Sequence, residues 1–219
     1  MQEDILSPSL IDNGRFLASD RYLSWVDGVL AERRALLDRA IGALQQRSTV
    51  IAEAASCIVD TLRGGHKVLV IGNGGSAAEA QHFACELMGR FEQERAPYAV
   101  LALSADSTIL TALSNDYGYR QVFARQVAGL GQPGDLLLAF STSGESPNVV
   151  EAALAARGRG MMVVALTGER ASRLEKLADL TLRAPTAATP VAQEIHMLLT
   201  HILCGVVEAE LAAGEGVVD

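Results

Sequence analysis

The sequence predicts an α/β protein: a five-stranded parallel sheet with helices on both faces, preceded by an N-terminal helical segment. After Gly64-Gly65, short runs rich in Val, Leu and Ile alternate with stretches of helical character, the pattern of parallel strands joined by crossover helices. Before that point, from about Ser19 to Arg63, apolar residues recur at helical spacing with charges between them. Hydrophobic residues make up 49% and charged residues 20% of the 219 positions, enough apolar material for one compact core.

Taken in order, residues 1–18 mix Pro, Ser, Asn and Gly without periodicity and read as a loose arm. Residues 19–63 carry Leu30, Leu36, Leu37, Ile41, Leu44, Ile51, Ala55 and Val59 on a helical repeat broken near Ser48, which predicts two helices suited to packing on a core or on another subunit. The α/β domain, residues 64–211, has strands at Val68–Ile71, Ala99–Leu103, Leu136–Phe140, Met162–Leu166 and Leu180–Arg183. The first strand runs into a turn and a helix from Ala77 to about Met88, and Pro147 is placed as the first residue of another helix. A last helix, about Thr189–Leu211, carries Ile195, Leu198, Leu199, Ile202, Leu203 and Val206 on one stripe, and residues 212–219 form a tail.

The net charge of −8 and a sequence pI near 5.0, without clustered Lys and Arg, disfavour a nucleic-acid surface. The N-terminus has neither the positive region nor the apolar core of a secretory signal, and no uninterrupted apolar run is long enough to span a bilayer. Cys57, Cys85 and Cys204 are odd in number and lie in apolar helical patterns, as reduced thiols do. The expectation is a cytoplasmic protein without membrane or nucleic-acid partners.

In this architecture ligands bind beyond the carboxyl ends of the strands. Two such loops stand out. Gly72-Asn73-Gly74-Gly75-Ser76 lets backbone N–H groups approach an anion at a helix start; the alternative is a tight turn with Ser76 as N-cap. No acidic residue follows at the spacing a dinucleotide ribose requires, Asp106 coming too late. The second loop, Ser141-Thr142-Ser143-Gly144-Glu145-Ser146-Pro147, surrounds one glycine with four hydroxyls, a set that can bind phosphate without Lys or Arg. Ser141 and Ser143 read as phosphate contacts, while Ser146 fits either a ligand or a helix cap. There is no Walker lysine.

Further along the first helix, His82 and Glu86 are four residues apart and share a face. On the last helix, Gln193 and His201 share a face loosely, with His196 as a competitor. Imidazole, carboxylate and amide donors suit zinc and other transition metals.

The stretches GNGGSAAEAQHFACELMGRF, LSNDYGY, GDLLLAFSTSGESPNVV, VVALTG and QEIHMLLTHIL, in this order across about Ala55 to Glu210, resemble the phosphoheptose isomerases of the sugar-isomerase (SIS) superfamily. The resemblance implies that residues 64–211 are a phosphosugar isomerase domain of the SIS fold. It implies one zinc per site, held by His82, Glu86, Gln193 and His201. It also implies phosphate binding by Ser76, Ser141, Thr142, Ser143 and Ser146, and substrate contacts by Asn73, Gly74, Gly75, Arg90, Asn115, Asp116 and Gln193. The implied reaction converts sedoheptulose 7-phosphate to D-glycero-D-manno-heptose 7-phosphate in heptose biosynthesis, with Glu86 and His201 as catalytic acid/base residues. A homotetramer with sites between subunits is the implied assembly. A sister group that associates with the replication initiator DnaA resembles the same stretch, usually without the Glu and the last His; Glu86 and His201 favour the enzyme over that non-catalytic alternative.

Three departures from the family pattern stand out. Glu145 replaces the usual Asn, bringing a carboxylate near the expected phosphate. Ala187 to Ala192 replace a polar lead into the last helix, and Glu169 to Arg173 replace a glycine-rich stretch, a change expected to matter only at the surface.

Overall fold

The computed structural model describes residues 11–12, 15–16 and 20–213. The chain divides into two compact units, Met1–Arg39 and Ala40–Asp219, with the boundary inside one helix. In the first unit, where a loose arm is expected, β1 (Ile11–Asp12) and β2 (Arg15–Phe16) form an antiparallel pair with Ile11 opposite Phe16. The remainder of that arm, and the tail beyond residue 213, lie outside the described residues. Helix α1 (Asp20–Gln45) follows, with Tyr22, Leu23, Trp25, Val26 and Leu30 exposed. Its break from α2 (Ser48–Arg63) falls at the expected place.

The second unit continues with β3 (Val68–Ile71), α3 (Gly75–Met88), β4 (Val100–Ala102), α4 (Ser107–Tyr117), a 3-10 turn (Tyr119–Gln121) and α5 (Val122–Leu130). It is completed by β5 (Leu136–Ser141), α6 (Pro147–Gly158), β6 (Met162–Thr167), β7 (Leu180–Arg183) and α7 (Thr189–Ala212). The sheet has the order β4-β3-β5-β6-β7, parallel throughout. Strands β3 and β5 are fully buried along their length, so both faces must be covered. One face presents Leu69, Ile71, Leu137, Ala139, Val163 and Ala165 to a core completed by Phe123 and Val127 of α5 and by Val149, Ala152, Ala153 and Ala156 of α6. The alternate residues of the same strands point the other way, and α3 and α7 lie together on that side, where the Phe140 ring meets His196 of α7 edge-on.

Two details differ from the sequence reading. Helix α3 starts at Gly75, two residues early, because Gly74 takes a positive φ of 56° as the N-cap, a conformation glycine adopts without steric cost. Ser76 therefore sits in the first turn and is not the cap. Asp106 has a local role: its carboxylate accepts the Ile109 N–H at 2.9 Å and caps α4.

Helix α7 has 24 residues and is apolar enough to cross a membrane by length and composition alone. It also carries buried His196, Thr200 and Glu208 and packs on α2 and α3, as a core helix does.

Candidate active site

Strand β3 has β4 on one side and β5 on the other. Successive crossovers therefore leave in opposite directions, and a crevice opens at the carboxyl ends of β3 and β5. The crevice is a cavity of about 160 Å³ lined by Asn73, Ser76, Phe140, Ser141, Thr142, Ser143, Ser146, Thr189 and Gln193. The two loops singled out from the sequence thus face one another, and the N-termini of α3 and α6 open onto the same space. Among the described residues no charged side chain lines it, so an anion there would be held by hydroxyl and amide donors and two helix dipoles.

The hydroxyls are arranged as donors. Ser141 Oγ accepts the Gly144 N–H at 3.1 Å, and Ser143 Oγ accepts the Glu145 N–H at 3.2 Å, leaving each O–H free to donate. Ser146 occupies the N-cap of α6 without a capping side-chain bond; its backbone oxygen takes the Val149 and Val150 N–H groups instead. Gly75 keeps the cavity compact, since a Cβ there would lie 2.2 Å from Gln193 Nε2.

Asn73 is held by neighbours that the sequence reading did not select. Its amide pairs reciprocally with the amide of Asn148 at 2.8 Å in each direction, and Tyr119 Oη donates to Asn73 Oδ1 at 2.9 Å. Asn148 directly follows the proline that begins α6, a position whose side chain can turn back over the loop.

The Glu145 carboxylate accepts the Arg173 N–H at 2.8 Å, and its side chain lines, with Thr142 and Ser143, a neighbouring cavity of about 320 Å³. The segment Glu169 to Arg173, expected to matter only at the surface, is therefore the partner of this departure. Gly144 packs so closely on Ser172 that a Cβ would meet Ser172 Oγ at 2.1 Å.

The second group of residues lies farther along α3 and α7. His82 Nε2 is 3.0 Å from His201 Nε2 and 3.3 Å from Glu86 Oε1, and the His201 ring stacks on Phe91. Zinc bonds of about 2.0–2.1 Å place neighbouring tetrahedral ligands about 3.3 Å apart, and both measured separations are close to that edge. The donors, two imidazoles and a carboxylate, are of the kind zinc accepts. Among the described residues, however, no group of three or more His, Cys, Asp and Glu side chains is placed to hold a metal ion, and Gln193 lines the cavity. Burial first, then the charges of Glu86 and Glu208, pushes the Cys204 thiol well up, so it offers no thiolate to this group.

His196, the competitor of His201, is fully buried, with Nε2 3.0 Å from the Thr167 carbonyl oxygen and Nδ1 3.7 Å from Glu79. Its carbonyl contact marks it as a donor inside the fold. Three expected substrate residues stand apart from the cavity lining. Arg90 pairs with Glu94 at 3.8 Å beyond the C-terminus of α3, while Asn115 donates to Asp116 at 2.9 Å on the exposed last turn of α4.

A family model described as the SIS domain matches residues 31–168. A phosphoheptose isomerase from a Bradyrhizobium strain is 47% identical over 195 residues, covering 88% of this chain and 97% of its own. One from Rhodospirillum rubrum is 48% identical, covering 74% and 87%. Among solved structures, phosphoheptose isomerases from Neisseria gonorrhoeae and Francisella tularensis superpose with TM-scores of 0.78 and 0.80 at 38% identity, covering 86% of this chain and 99% and 98% of theirs.

Proposed function

The chain belongs to the phosphoheptose isomerases of the SIS-domain family and is an isomerase, and on that premise we propose that it converts sedoheptulose 7-phosphate to D-glycero-D-manno-heptose 7-phosphate at a site holding one zinc ion. The observation that carries the reading is the placement of an uncharged, donor-lined cavity and the His82, Glu86 and His201 cluster along the same two helices. Ser76 and His82 are six residues apart on α3, about 9 Å along the axis, the scale of a sugar phosphate bound by its phosphate at one end and reacting at the other.

Aldose–ketose exchange removes a proton from the carbon next to a carbonyl and returns it to the neighbouring carbon, while the two oxygens exchange a proton. Glu86 carries the carbon-bound proton, and His201 serves the oxygens, both groups lying within 3.3 Å of His82 Nε2. The donors at Ser76, Ser141, Thr142, Ser143 and Ser146 hold the phosphate, supplying binding energy remote from the reacting carbons. His82, Glu86, Gln193 and His201 would hold the zinc, whose contribution when bound is to polarise the carbonyl and favour the enediolate.

We further propose a homotetramer with sites between subunits, in the cytoplasm. Helix α4 has no buried residue, and a cleft of about 270 Å³ between α2 and α7 is lined by Ile41, Leu44, Ile51, Leu198, Ile202 and Val206. A neighbouring subunit would cover such surfaces and could supply Arg90, Asn115 and Asp116.

The test is turnover of sedoheptulose 7-phosphate by the zinc-loaded protein, the chelated protein, and the Glu86→Gln and His201→Ala variants. Turnover that needs metal and drops by at least about a hundredfold in either variant is the expected result. Near-normal activity of Glu86→Gln would remove Glu86 as the base, and no turnover with metal loaded would remove the substrate assignment.

A further inference from the structure

We propose that Asn148, assisted by Tyr119, is a positioning residue that fixes the Asn73 carboxamide as a hydrogen-bond donor into the cavity. The inference rests on the phosphate-binding part of the proposed function.

The Val149 N–H donates to Asn148 Oδ1 at 3.1 Å. A backbone N–H can only donate, so the Asn148 oxygen must face it and the Asn148 NH2 must face away. That NH2 donates to Asn73 Oδ1 at 2.8 Å, and Asn148 Oδ1 also accepts from Asn73 Nδ2 at 2.8 Å. Tyr119 Oη supplies a second donor to Asn73 Oδ1 at 2.9 Å. Both lone pairs of the Asn73 oxygen are then used, and so is one of its two N–H bonds. The open valence is the remaining N–H.

Both supports of Asn73 are tied to α6. Asn148 lies in its first turn, 2% exposed. The turn bearing Tyr119 is fastened to the same helix by Arg120, whose Nε donates to Glu151 Oε1 at 3.1 Å.

Orientation matters because of what the cavity lacks. With no Lys or Arg in its lining, a phosphate dianion is balanced only by neutral donors, and a carboxamide turned over would aim its carbonyl oxygen at that charge. The two orientations have the same shape and differ only in the sign of the dipole presented. Asn148 removes the wrong one.

The experiment compares Asn148→Ala, Tyr119→Phe, Asn73→Ala and the Asn73→Ala/Asn148→Ala double variant, all zinc-loaded. KM and kcat are measured for sedoheptulose 7-phosphate, and binding of inorganic phosphate is followed through the Gly74 and Gly75 amide resonances. Asn148→Ala should raise KM and weaken phosphate binding about tenfold, as expected for a lost bond to a charged group, with kcat changed by less than about threefold. Tyr119→Phe should show a smaller effect in the same direction. In the Asn73→Ala background, adding Asn148→Ala should change either quantity by less than about twofold, since its effect passes through Asn73.

Equal effects in the two backgrounds would overturn the proposal, as would unchanged phosphate binding in Asn148→Ala. So would failure of the wild-type protein to bind phosphate. The Val149 N–H also donates to the Ser146 carbonyl at 3.1 Å, so Asn148→Ala orphans no backbone donor; should it nonetheless fail to fold, Tyr119→Phe, on an exposed side chain, carries the test. If phosphate binding follows this pattern while no isomerisation occurs, the positioning role stands and the substrate assignment falls.

Discussion

Glu145 and Gly75 mark how little separates a workable anion site from a spoiled one. The Glu145 carboxylate is engaged by the Arg173 N–H, which offsets part of the charge that would oppose a phosphate. Glu145→Asn should therefore leave KM within about twofold of wild type, and a KM fall of about tenfold would show that the carboxylate does repel the substrate. Gly75→Ala should be far more damaging. Its methyl group would displace the Gln193 amide, and displacement by about 1 Å can cost a hundredfold in turnover; a fall of about a hundredfold in kcat/KM with an unchanged melting curve is the expected result. The i,i+4 placement of His82 and Glu86 was legible in the sequence because helical periodicity links near neighbours. The approach of His201 to His82 across 119 positions was not a matter of spacing; it needed either the family resemblance or the fold. Asn148 was illegible for a different reason, since nothing in an asparagine's local sequence says which amide it will pair with.

At the level of elements, a single carboxylate joins α7 to the loop after α3. Glu208, 1% exposed, accepts the N–H groups of Phe91, Glu92 and Gln93 at 2.9, 2.7 and 2.9 Å and pairs with Arg95 at 3.1 Å. Arg95 in turn donates to the carbonyls of Glu86, Leu87 and Gly89, oxygens without a partner inside the helix where α3 ends. Glu208→Ala would strand the buried Arg95 charge, and a loss of about 3–5 kcal/mol in urea unfolding is expected. Burial would raise the pKa of Glu208, but the three backbone donors and Arg95 outweigh it and hold the carboxyl below its usual range. Asp135 is likewise held low: burial raises it, and the Lys67 side chain with the Lys67 and Gln132 N–H groups more than compensates. A depressed folded pKa contributes stability that is complete above the unfolded value, about 4, and is lost as pH falls through the lower folded value. The urea midpoint should therefore drop steeply below about pH 4, and less steeply in Glu208→Gln. The sequence showed these helices through their apolar stripes. It did not show the join, because one glutamate among the apolar residues of α7 reads equally well as a solvated charge.

For the molecule as a whole, five strands, their parallel sense and the crossover helices were visible in alternating β-rich and helical runs. The order β4-β3-β5-β6-β7 was not, and that order is what brings the two loops together. Apolar surface exposed on the described residues sets the prediction at this scale: Ile202→Asp, in the cleft of Ile41, Leu198 and Val206, should shift the protein from the proposed tetramer towards smaller species in sedimentation velocity. A wild-type monomer at micromolar concentration would count against the assembly. The Glu208 join has a last consequence, in time rather than in energy. Phe91, Glu92 and Gln93 lie in a segment without regular secondary structure, where amides ordinarily trade their hydrogens for solvent deuterium within moments. Held by a buried carboxylate, these three should exchange as slowly as amides of the sheet, so a stretch that looks like a loop should open only when the α/β unit itself does.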